Sequence, residues 1–426
     1  MTGSSLRINM LVTAICAMSL ISVAAVATDG PIASPEPDWP QWRGRLRNGI
    51  SDETGLGQRW PAEGPKQIWK IDGLGTGWSS PVLVGERLYI TGDFEDGLYL
   101  LAYDLNGKLL WRAKNGSAWT GSYPGSRSSC TFSQGRLYHL NAHGRLACFD
   151  AATGQEVWAI DVLQRFGSPN ITWGLSESVL VDGTHVIATP GGPKALMAAF
   201  DARDGHTVWA TETLAGDATS YSSPILIQHG GRRLLINCSA SHGFGVDADG
   251  GRLMWSVPLK NQYFVNASSP VFAAGRVFFV TPYGEEGRAY RLDATAAGID
   301  AQQAWKNSLD TVTGGAVVVG DTLFAAGYRK SKWWLAVDFA TGQVRSELKE
   351  LTTGAAIYAD KRLYCLDEQG NVGLVSADDG RLELAGRFSL GLERARDAWA
   401  HPVLLRGRLY LRYHDSLWCF DVRQPN

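Results

Sequence analysis

The sequence predicts an all-β fold, an eight-bladed β-propeller of four-stranded antiparallel blades whose ring is closed by an N-terminal strand. A segment of about 45 residues, with the character of four short strands, recurs eight times between residues 64 and 423. Its apolar residues alternate with period two and are mostly β-branched or aromatic, which excludes a helical repeat. The last copy lacks an outer strand, whereas an unpaired strand precedes the first copy.

An aspartate at the end of the third strand sets the register of the repeat. In the second copy it opens the segment DAATGQEVW at residues 150–158. The Asp side chain can bond its own backbone two residues on, and the glycine can adopt a positive φ. This element therefore predicts a tight hairpin turn before the outer strand. The aspartate position holds Asp104, Asp150, Asp201, Asp247, Asp293, Asp338, Ser376 and Asp421.

Tryptophan follows this turn in most copies, on the outermost strand of the blade. The regular spacing predicts that each indole packs against the next blade and is not a ligand platform. The sixth and seventh copies carry Ser346 and Leu384 at the aligned position, so we expect weaker joints and faster amide exchange across about residues 340–390. The predicted docking residues are Trp69, Trp111, Trp158, Trp209, Trp255 and Trp305.

Ring closure follows from the number of strands. The eighth copy supplies strands at about 402–405, 408–412 and 416–420, but no outer strand. The segment PKQIWKI at residues 65–71 has the right character and would place Trp69 in the missing docking position. A ring closed in this way leaves no unpaired strand edge.

Residues 1–27 have the pattern of a signal peptide. Arg7 precedes a largely apolar stretch, and Ala25-Val26-Ala27 ends it with small residues, which predicts cleavage after Ala27. We expect export to the periplasm or beyond, with no transmembrane segment after cleavage. An uncleaved membrane anchor is the alternative, since the apolar stretch is long enough to span a bilayer.

Residues 28–63 join this leader to the propeller domain at residues 64–423. The first part, rich in Pro and polar residues, is typical of a linker. The following segment, DWPQWRG at residues 38–44, carries two tryptophans too close together for a blade. We expect this capping segment to lie across one face of the ring, either as a plug or as a binding element.

The candidate binding residues precede the innermost strand of each blade, where the chain reaches the mouth of the central channel. This set is richer in aromatic and hydrogen-bonding side chains than a turn requires, which favours a concave binding site. The structural alternative is that these side chains only satisfy strand ends and pack the channel. The candidates are Trp78, Arg127, Trp173, Tyr221, Asn266, Trp399 and His401.

No catalytic or metal-binding constellation is found in the sequence. It contains no HExxH, GxSxG, P-loop or dinucleotide-binding motif. His139 and His143 would have zinc-ligand spacing only on a helix, and DADGG at 247–251 is a hairpin turn by register. Five cysteines follow the leader, none adjacent to another, and we interpret them as small buried hydrophobic residues. The formal net charge of −2 gives no electrostatic footprint for nucleic acid.

Three segments resemble the tryptophan-docking motif of the PQQ-like repeat propellers. They are AYDLNGKLLW at 102–111, CFDAATGQEVW at 148–158 and AFDARDGHTVW at 199–209. That superfamily includes quinoprotein dehydrogenases and the outer-membrane assembly scaffold BamB, and the resemblance covers about residues 64–423. DWPQWRG, together with ETGL and the WAHP near the C-terminus, further resembles exported PQQ-binding-like propellers of the planctomycete type.

The resemblance implies two functions. The first is a periplasmic or secreted binding or scaffold module, monomeric and without a cofactor, that takes an unknown protein or small molecule at its mouth. The second is a dehydrogenase that oxidises alcohols or sugars with pyrroloquinoline quinone (PQQ) and calcium, in which Trp173 and Arg127 would hold the quinone. The adjacent cysteine pair typical of those enzymes is missing from the chain. A third candidate, an enzyme acting on polysaccharide, lacks a recognisable carboxylate pair.

Overall fold

The structure, a computed structural model, describes residues 1–3, 29–36, 38–214, 217–296, 298–391 and 397–424. Most of the predicted signal peptide lies outside this range. Within the described residues the strands form eight sheets, and the predicted all-β, eight-bladed propeller is confirmed. None of the helices described is long and apolar enough to cross a membrane.

Blades 1 to 7 are antiparallel meanders of four consecutive strands, from the channel outward. Two short strands precede them, β1 (Gly30–Pro31) and β2 (Lys66–Ile71). Blades 1 to 4 contain β3 (Val82–Val84), β4 (Arg87–Phe94), β5 (Gly97–Asp104), β6 (Leu109–Lys114); β7 (Thr131–Ser133), β8 (Arg136–Leu140), β9 (Arg145–Asp150), β10 (Glu156–Asp161); β11 (Leu180–Asp182), β12 (His185–Ala188), β13 (Ala198–Asp201), β14 (Thr207–Ala210); and β15 (Ile225–His229), β16 (Arg232–Cys238), β17 (His242–Asp247), β18 (Leu253–Pro258).

The remaining blades continue the pattern. Blades 5 to 8 contain β19 (Val271–Ala273), β20 (Arg276–Val280), β21 (Gly287–Ala294), β22 (Ile299–Asn307); β23 (Val317–Val319), β24 (Thr322–Ala326), β25 (Trp334–Asp338), β26 (Val344–Leu348); β27 (Gly354–Ala359), β28 (Arg362–Asp367), β29 (Asn371–Ser376), β30 (Glu383–Ser389); and β31 (Val403–Leu405), β32 (Arg408–Tyr413), β33 (Ser416–Asp421). The described helical segments are α1 (Val162–Phe166) and a 3₁₀ turn (Asp378–Gly380).

The eighth blade is completed by the N-terminal strand, as the number of strands predicted. Strand β2 pairs antiparallel with β33, and Trp69 lies opposite Cys419. The sheet order is β2-β33-β32-β31, so a segment from near the start of the chain forms the outer edge of its last blade.

Every outer strand carries a β-bulge immediately before its docking position. In blade 2 the pairing register shifts between Glu156 and Trp158, which leaves Val157 unpaired and 41% exposed. A bulge sets two residues against one on the partner strand and re-aims the side chains that follow. The aliphatic residue therefore faces outward, and the indole after it turns towards the next blade. The same shift occurs in the other seven blades.

The prediction that Leu384 holds the docking position of blade 7 is wrong. Register places Gly386 there, opposite Leu374, because the 3₁₀ turn makes this hairpin two residues longer than that of blade 2. A Cβ on Gly386 would lie 2.7 Å from the Cβ of Trp60. Trp60, which belongs to the segment before β2, thus occupies the space that a side chain at residue 386 would need.

Five of the six predicted docking tryptophans, all but Trp255, contact the turn of the following blade. The Trp158 indole N–H donates to the carbonyl of Ala202 at 3.0 Å, and that of Trp305 donates to Phe339 at 2.9 Å. The turn glycine lies under the ring: Gly205 has φ +74°, and a Cβ there would approach Trp158 to 2.8 Å. That these contacts stabilise the ring is a prediction.

We expect unequal amide exchange at the last two joints of the ring. At the joint between blades 6 and 7, Ser346 offers only a hydroxyl that accepts the Leu382 N–H at 3.1 Å, so β26 should exchange faster than β10. Strand β30 should be protected as long as Trp60 packs on Phe388 and Tyr364, with ring centroids 5.5 and 5.8 Å away.

Hydrogen-exchange mass spectrometry of Trp60→Ala should therefore show faster exchange in β30, and Trp119→Ala in a mouth loop should not. If the amide protection of β30 is unchanged in Trp60→Ala, Trp60 does not take the place of a docking tryptophan in blade 7.

The segment at residues 29–58 lies against the innermost strands and contacts all eight blades. Strand β1 adds a fifth strand to blade 4, and Trp39 forms a bridge with Leu83 of blade 1. Two buried arginines donate to inner-strand carbonyls, Arg47 to Ser178 and Val179, and Arg43 to Ala316. The remaining blades are contacted through Pro40–Phe132, Trp42–Ser269, Ile50–Tyr358 and Leu56–Arg423. The N-terminal segment thus fills the channel that the innermost strands surround.

Candidate binding site at the channel mouth

A cavity of about 360 Å³ opens at the mouth where the innermost strands begin. Five of the seven predicted residues line it: Trp78, Arg127, Trp173, Tyr221 and Trp399. In total nine aromatic side chains contribute to the lining, which are Trp42, Trp78, Tyr123, Trp173, Tyr221, Tyr263, Tyr283, Tyr328 and Trp399.

The cavity walls and the layer beneath them follow the period of a strand. The wall position lies four residues before the first residue of the innermost strand, as Trp78 does before β3, and successive blades place Arg127, Ser176 and Tyr221 there. Two residues further on lies a belt of hydroxyls: the N–H of Ser129 donates to Ser178 at 2.9 Å, and that of Ser178 to Ser223 at 2.9 Å. Because side chains alternate along a strand, the two positions face the channel together. The serines of the belt are Ser80, Ser129, Ser178, Ser223 and Ser269.

The other two predicted residues lie outside the lining. Asn266 is one residue out of phase with the wall position, and His401 is covered by Trp42, with ring centres 4.4 Å apart. Asn266 is fully buried, and its amide donates to the carbonyls of Ser239 at 2.8 Å and Ala240 at 3.2 Å. His401 occupies the belt position, 4% exposed, with Nε2 2.9 Å from the carbonyl oxygen of Thr313. Burial and the neighbouring Arg43 lower the pKa of His401 to about 3, so its imidazole is neutral.

The indole N–H groups of three lining tryptophans are bonded within the protein. Trp78 donates to the carbonyl of Asp397 at 3.0 Å, and Trp399 donates to the Glu368 carboxylate at 2.9 Å. Trp42, from the N-terminal segment, donates to Ser269 at 3.2 Å and forms part of the cavity lining from below. These tryptophans therefore present apolar ring surface to the cavity.

Buried Asp310 positions the rim of the mouth. Its carboxylate accepts the backbone N–H groups of Gly284, Tyr328 and Arg329, each at 2.8–2.9 Å. These bonds hold two loops side by side, and the Tyr283 and Tyr328 rings lie 5.9 Å apart across them. The Arg329 guanidinium lies 5.2 Å from the centre of the Tyr283 ring, at a distance suited to a cation–π contact.

Arg127 positions the adjoining loop of blade 2. Its guanidinium donates to the carbonyls of Tyr123, Ser122 and Gly125, and it lies 5.5 Å from the Trp78 ring centre. Burial lowers its pKa to about 10, which leaves the group charged at neutral pH. Since three carbonyls engage its N–H groups, Arg127 holds Tyr123 at the rim.

The sequence did not indicate the rim tyrosines. Tyr283 and Tyr328 lie in turns between the second and third strands of blades 5 and 6, and Tyr123 and Tyr263 lie in loops between blades. Loops have no register in the repeat, so spacing gives no signal there. The sequence signal for these tyrosines is an aromatic residue in an otherwise polar turn, as in TPYGEEG at 281–287.

The mouth does not match the needs of an anionic quinone with calcium. Arg127 is engaged by carbonyls, and the described lining offers two carboxyl groups, Glu368 and Asp397. Among the described residues, the group spaced like metal ligands is Asp201, Asp204 and His206, in the outer turn of blade 3. The donor set at the mouth therefore does not fit that cofactor pair.

Glu177, beneath the cavity wall, should make stability depend on pH. Burial raises its pKa to about 8, against hydrogen bonds from Thr189 and the charge of Arg47. The folded protein keeps this proton up to about pH 8, whereas the unfolded chain releases it near 4.5, so stability falls between these values as pH rises.

Glu177→Gln cannot ionise and should remove this contribution. We expect its melting temperature, relative to the native chain, to increase steadily from pH 5 to pH 8 in a calorimetric series. If the difference in melting temperature between Glu177→Gln and the native chain is the same at every pH, Glu177 does not cause the pH dependence.

The chain matches a known family over more than half its length. The family model described as "Outer membrane protein assembly factor BamB" covers residues 95–345. The outer membrane protein assembly factor BamB of Yersinia pestis is 25% identical over 260 residues, which are 57% of this chain and 62% of that protein. The aligned region thus spans less than two thirds of the relative's length.

Two solved structures have the same architecture. BamB from Moraxella catarrhalis superposes with a TM-score of 0.61 at 13% identity, covering 84% of this chain and 99% of that one. Quinohemoprotein alcohol dehydrogenase from Comamonas testosteroni superposes with a TM-score of 0.67 at 14% identity, covering 92% and 82%. At these identities the likeness shows the fold alone.

Proposed function

Since the chain belongs to the family described as outer membrane protein assembly factor BamB, we propose that it is an exported propeller that works by binding, as a recognition or scaffold module, and that its ligand binds at the channel mouth. One observation carries the proposal: nine aromatic side chains converge on a single cavity, with Trp42 of the N-terminal segment beneath it. An apolar concave site with a few fixed polar groups is the usual form of a ligand pocket.

Export is part of the proposal. The leader at residues 1–27 supports it, and so does the name of the Yersinia pestis relative as an outer-membrane assembly factor. N-terminal sequencing of protein from the periplasmic or culture fraction should give Thr28 as the first residue. A first residue of Met1 in that fraction would count against cleavage.

The role of the outer-strand tryptophans belongs to the same proposal. The six indoles dock blades to one another and leave the mouth as the recognition surface. Their contacts with the following turn, such as Trp69 with the Leu105 carbonyl at 3.0 Å, support this division of roles.

The binding proposal is tested by thermal-shift screening of the mature protein against a chemically diverse library of metabolites, saccharides and peptides. We expect stabilising ligands whose effect disappears in Trp399→Ala and persists in Trp209→Phe, a change on the outer strand of blade 3. Ligands that act equally on both variants, or a library without any stabilising compound, would overturn binding at the mouth.

The alternative is a PQQ-dependent dehydrogenase. It is considered because the quinohemoprotein alcohol dehydrogenase of Comamonas testosteroni has the same fold. Dye-linked alcohol or sugar oxidation with PQQ and calcium, abolished in Trp173→Ala, would favour it. We expect no such turnover, because the chain has no adjacent cysteines and Arg127 is engaged by carbonyls.

A further inference from the structure

We propose that the mouth binds the end of a neutral oligosaccharide, a proposal that rests on the function proposed above and names its ligand class. Four features of the mouth support it: aromatic residues held at its rim in a strained backbone conformation, apolar ring faces on its walls, a balance of charges, and a closed floor.

The rim aromatics are held in an unfavourable backbone conformation. Tyr123, Phe264 and Tyr283 have φ of +55°, +56° and +68°, a region that bulky side chains rarely adopt. Residues in this conformation are strained, and such residues concentrate at functional sites. These are the phenylalanine and tyrosine residues with positive φ in the described part of the chain, and all three lie in loops around this mouth.

Three aromatic residues of these loops, two of them with positive φ, are exposed instead of packing into the core. Tyr123 is 46% exposed, Tyr263 45% and Phe264 48%. Arg329 and Lys260 lie over these rings, with charged groups 5.6 Å from the centre of Tyr263 and 5.3 Å from that of Phe264. The contacts fix the orientation of the rings and leave their outer edges and faces open to a ligand.

The apolar faces favour a ring-shaped ligand with C–H groups on one face and hydroxyls at its edge. The half-buried Trp399 offers such an apolar face, whereas Trp78 is 7% exposed and packs against it, with ring centres 5.2 Å apart at an interplanar angle of 33°. The N–H groups of both indoles are already bonded. A pyranose ring can place its C–H face on such a surface. Its hydroxyls can then bond the tyrosine hydroxyls of the rim.

The charges favour a neutral ligand. The described lining carries two guanidinium groups, Arg127 and Arg329, and two carboxyl groups, Glu368 and Asp397. A ligand of either charge would meet a like charge across the cavity. Hydroxyl groups suit both signs, because each can donate to a carboxylate or accept from a guanidinium.

The floor limits the ligand to a chain end. Trp42 lies under the cavity, and its N–H bond to Ser269 fixes it in the channel. A polymer therefore cannot thread through the ring. The belt hydroxyls of Ser178 and Ser223 accept backbone N–H groups, and a hydroxyl that accepts still carries a proton for a ligand oxygen.

Isothermal titration calorimetry with cellotetraose, maltotetraose, mannotetraose and laminaritetraose tests the proposal. We expect at least one to bind, and a charged tetramer, tetragalacturonate or tetraglucosamine, to bind at least about tenfold more weakly. Trp399→Ala and Tyr263→Ala should each weaken binding at least about tenfold, with Trp209→Phe as the matched control. Tyr263 is exposed, so its variant keeps the test valid if Trp399→Ala fails to fold.

The saccharide proposal is overturned if none of the four neutral tetramers binds, if the charged tetramers bind equally well, or if the mouth variants bind like the control. Library compounds of another class that lose their effect in Trp399→Ala would leave the binding function standing and remove the saccharide. If no compound of any class depends on Trp399, both proposals fall together.

Discussion

A chain lacking residues 64–72 should melt at a sharply lower temperature than the full-length protein. These residues contain β2, whose pairing with β33 from Lys66–Asp421 to Ile71–Leu417 completes the last blade. Without β2 the eighth sheet has an open edge, and blade 1 loses the Trp69 contact with Leu105. Scanning calorimetry measures the change. A melting curve identical to that of the intact chain would refute ring closure.

Point variants separate closure from general damage. Trp69 is half-buried, so Trp69→Ala should cost at most about 3 kcal/mol, the lower end of the loss for a fully buried tryptophan. Ile68 is the bulge residue beside it, 38% exposed, so Ile68→Lys should leave the melting temperature nearly unchanged. If the two substitutions lower the melting temperature equally, the Trp69 side chain makes no specific contribution to ring closure.

Arg412→Met should cause the second large loss of stability. Arg412 belongs to β32 of blade 8 and is fully buried, and it donates to the carbonyls of Thr91 at 2.7 Å and Ser79 at 3.2 Å in blade 1. Its other N–H groups reach the carbonyls of Gly75 and His414. Methionine keeps most of the side-chain stem but donates to none of these carbonyls. The Thr91 carbonyl still accepts the hydroxyls of Ser79 and Ser126, whereas the carbonyls of Ser79 and Gly75 lose their side-chain donor.

Each buried acceptor left without a partner costs about 1–3 kcal/mol, so with two such acceptors we expect Arg412→Met to lose at least about 2 kcal/mol of unfolding free energy in denaturant titrations. Arg408→Met is the matched control on the same strand. Arg408 is half-buried and donates to the carbonyl of Leu105 at 3.0 Å, a bond that water can replace. If Arg412→Met loses less unfolding free energy than Arg408→Met, Arg412 does not stabilise the contact between blades 8 and 1.

The fold was predictable from the sequence because each blade repeats the same local chemistry. Alternating apolar strands, an Asp-initiated turn and the missing outer strand of the eighth copy together specified the ring and its closure. The error at Leu384 shows the limit of this reasoning. In most copies the docking residue lies eight positions after the aspartate. The 3₁₀ turn of blade 7 adds two residues to this hairpin, so the docking position there is Gly386.

The candidate site was only partly predictable. Residues in the wall position, such as Trp78 and Tyr221, share the strand register and could be aligned from one blade to the next. Asn266 lies outside the lining because it is one residue out of phase with the wall position, and His401 because Trp42 covers it. Trp42 and the rim tyrosines depend on tertiary packing of loops and of the N-terminal segment, which no repeat encodes.

The most direct test of binding at the mouth is ¹⁹F NMR of protein labelled with 5-fluorotryptophan, its resonances assigned by single Trp→Phe substitutions. Cellotetraose, maltotetraose, mannotetraose and laminaritetraose would be added in separate titrations. We expect at least one of them to shift the resonances of Trp78 and Trp399 and to leave those of Trp209 and Trp305 in place. Shifts confined to the outer-strand tryptophans, or none with any of the four sugars, would contradict saccharide binding at the channel mouth.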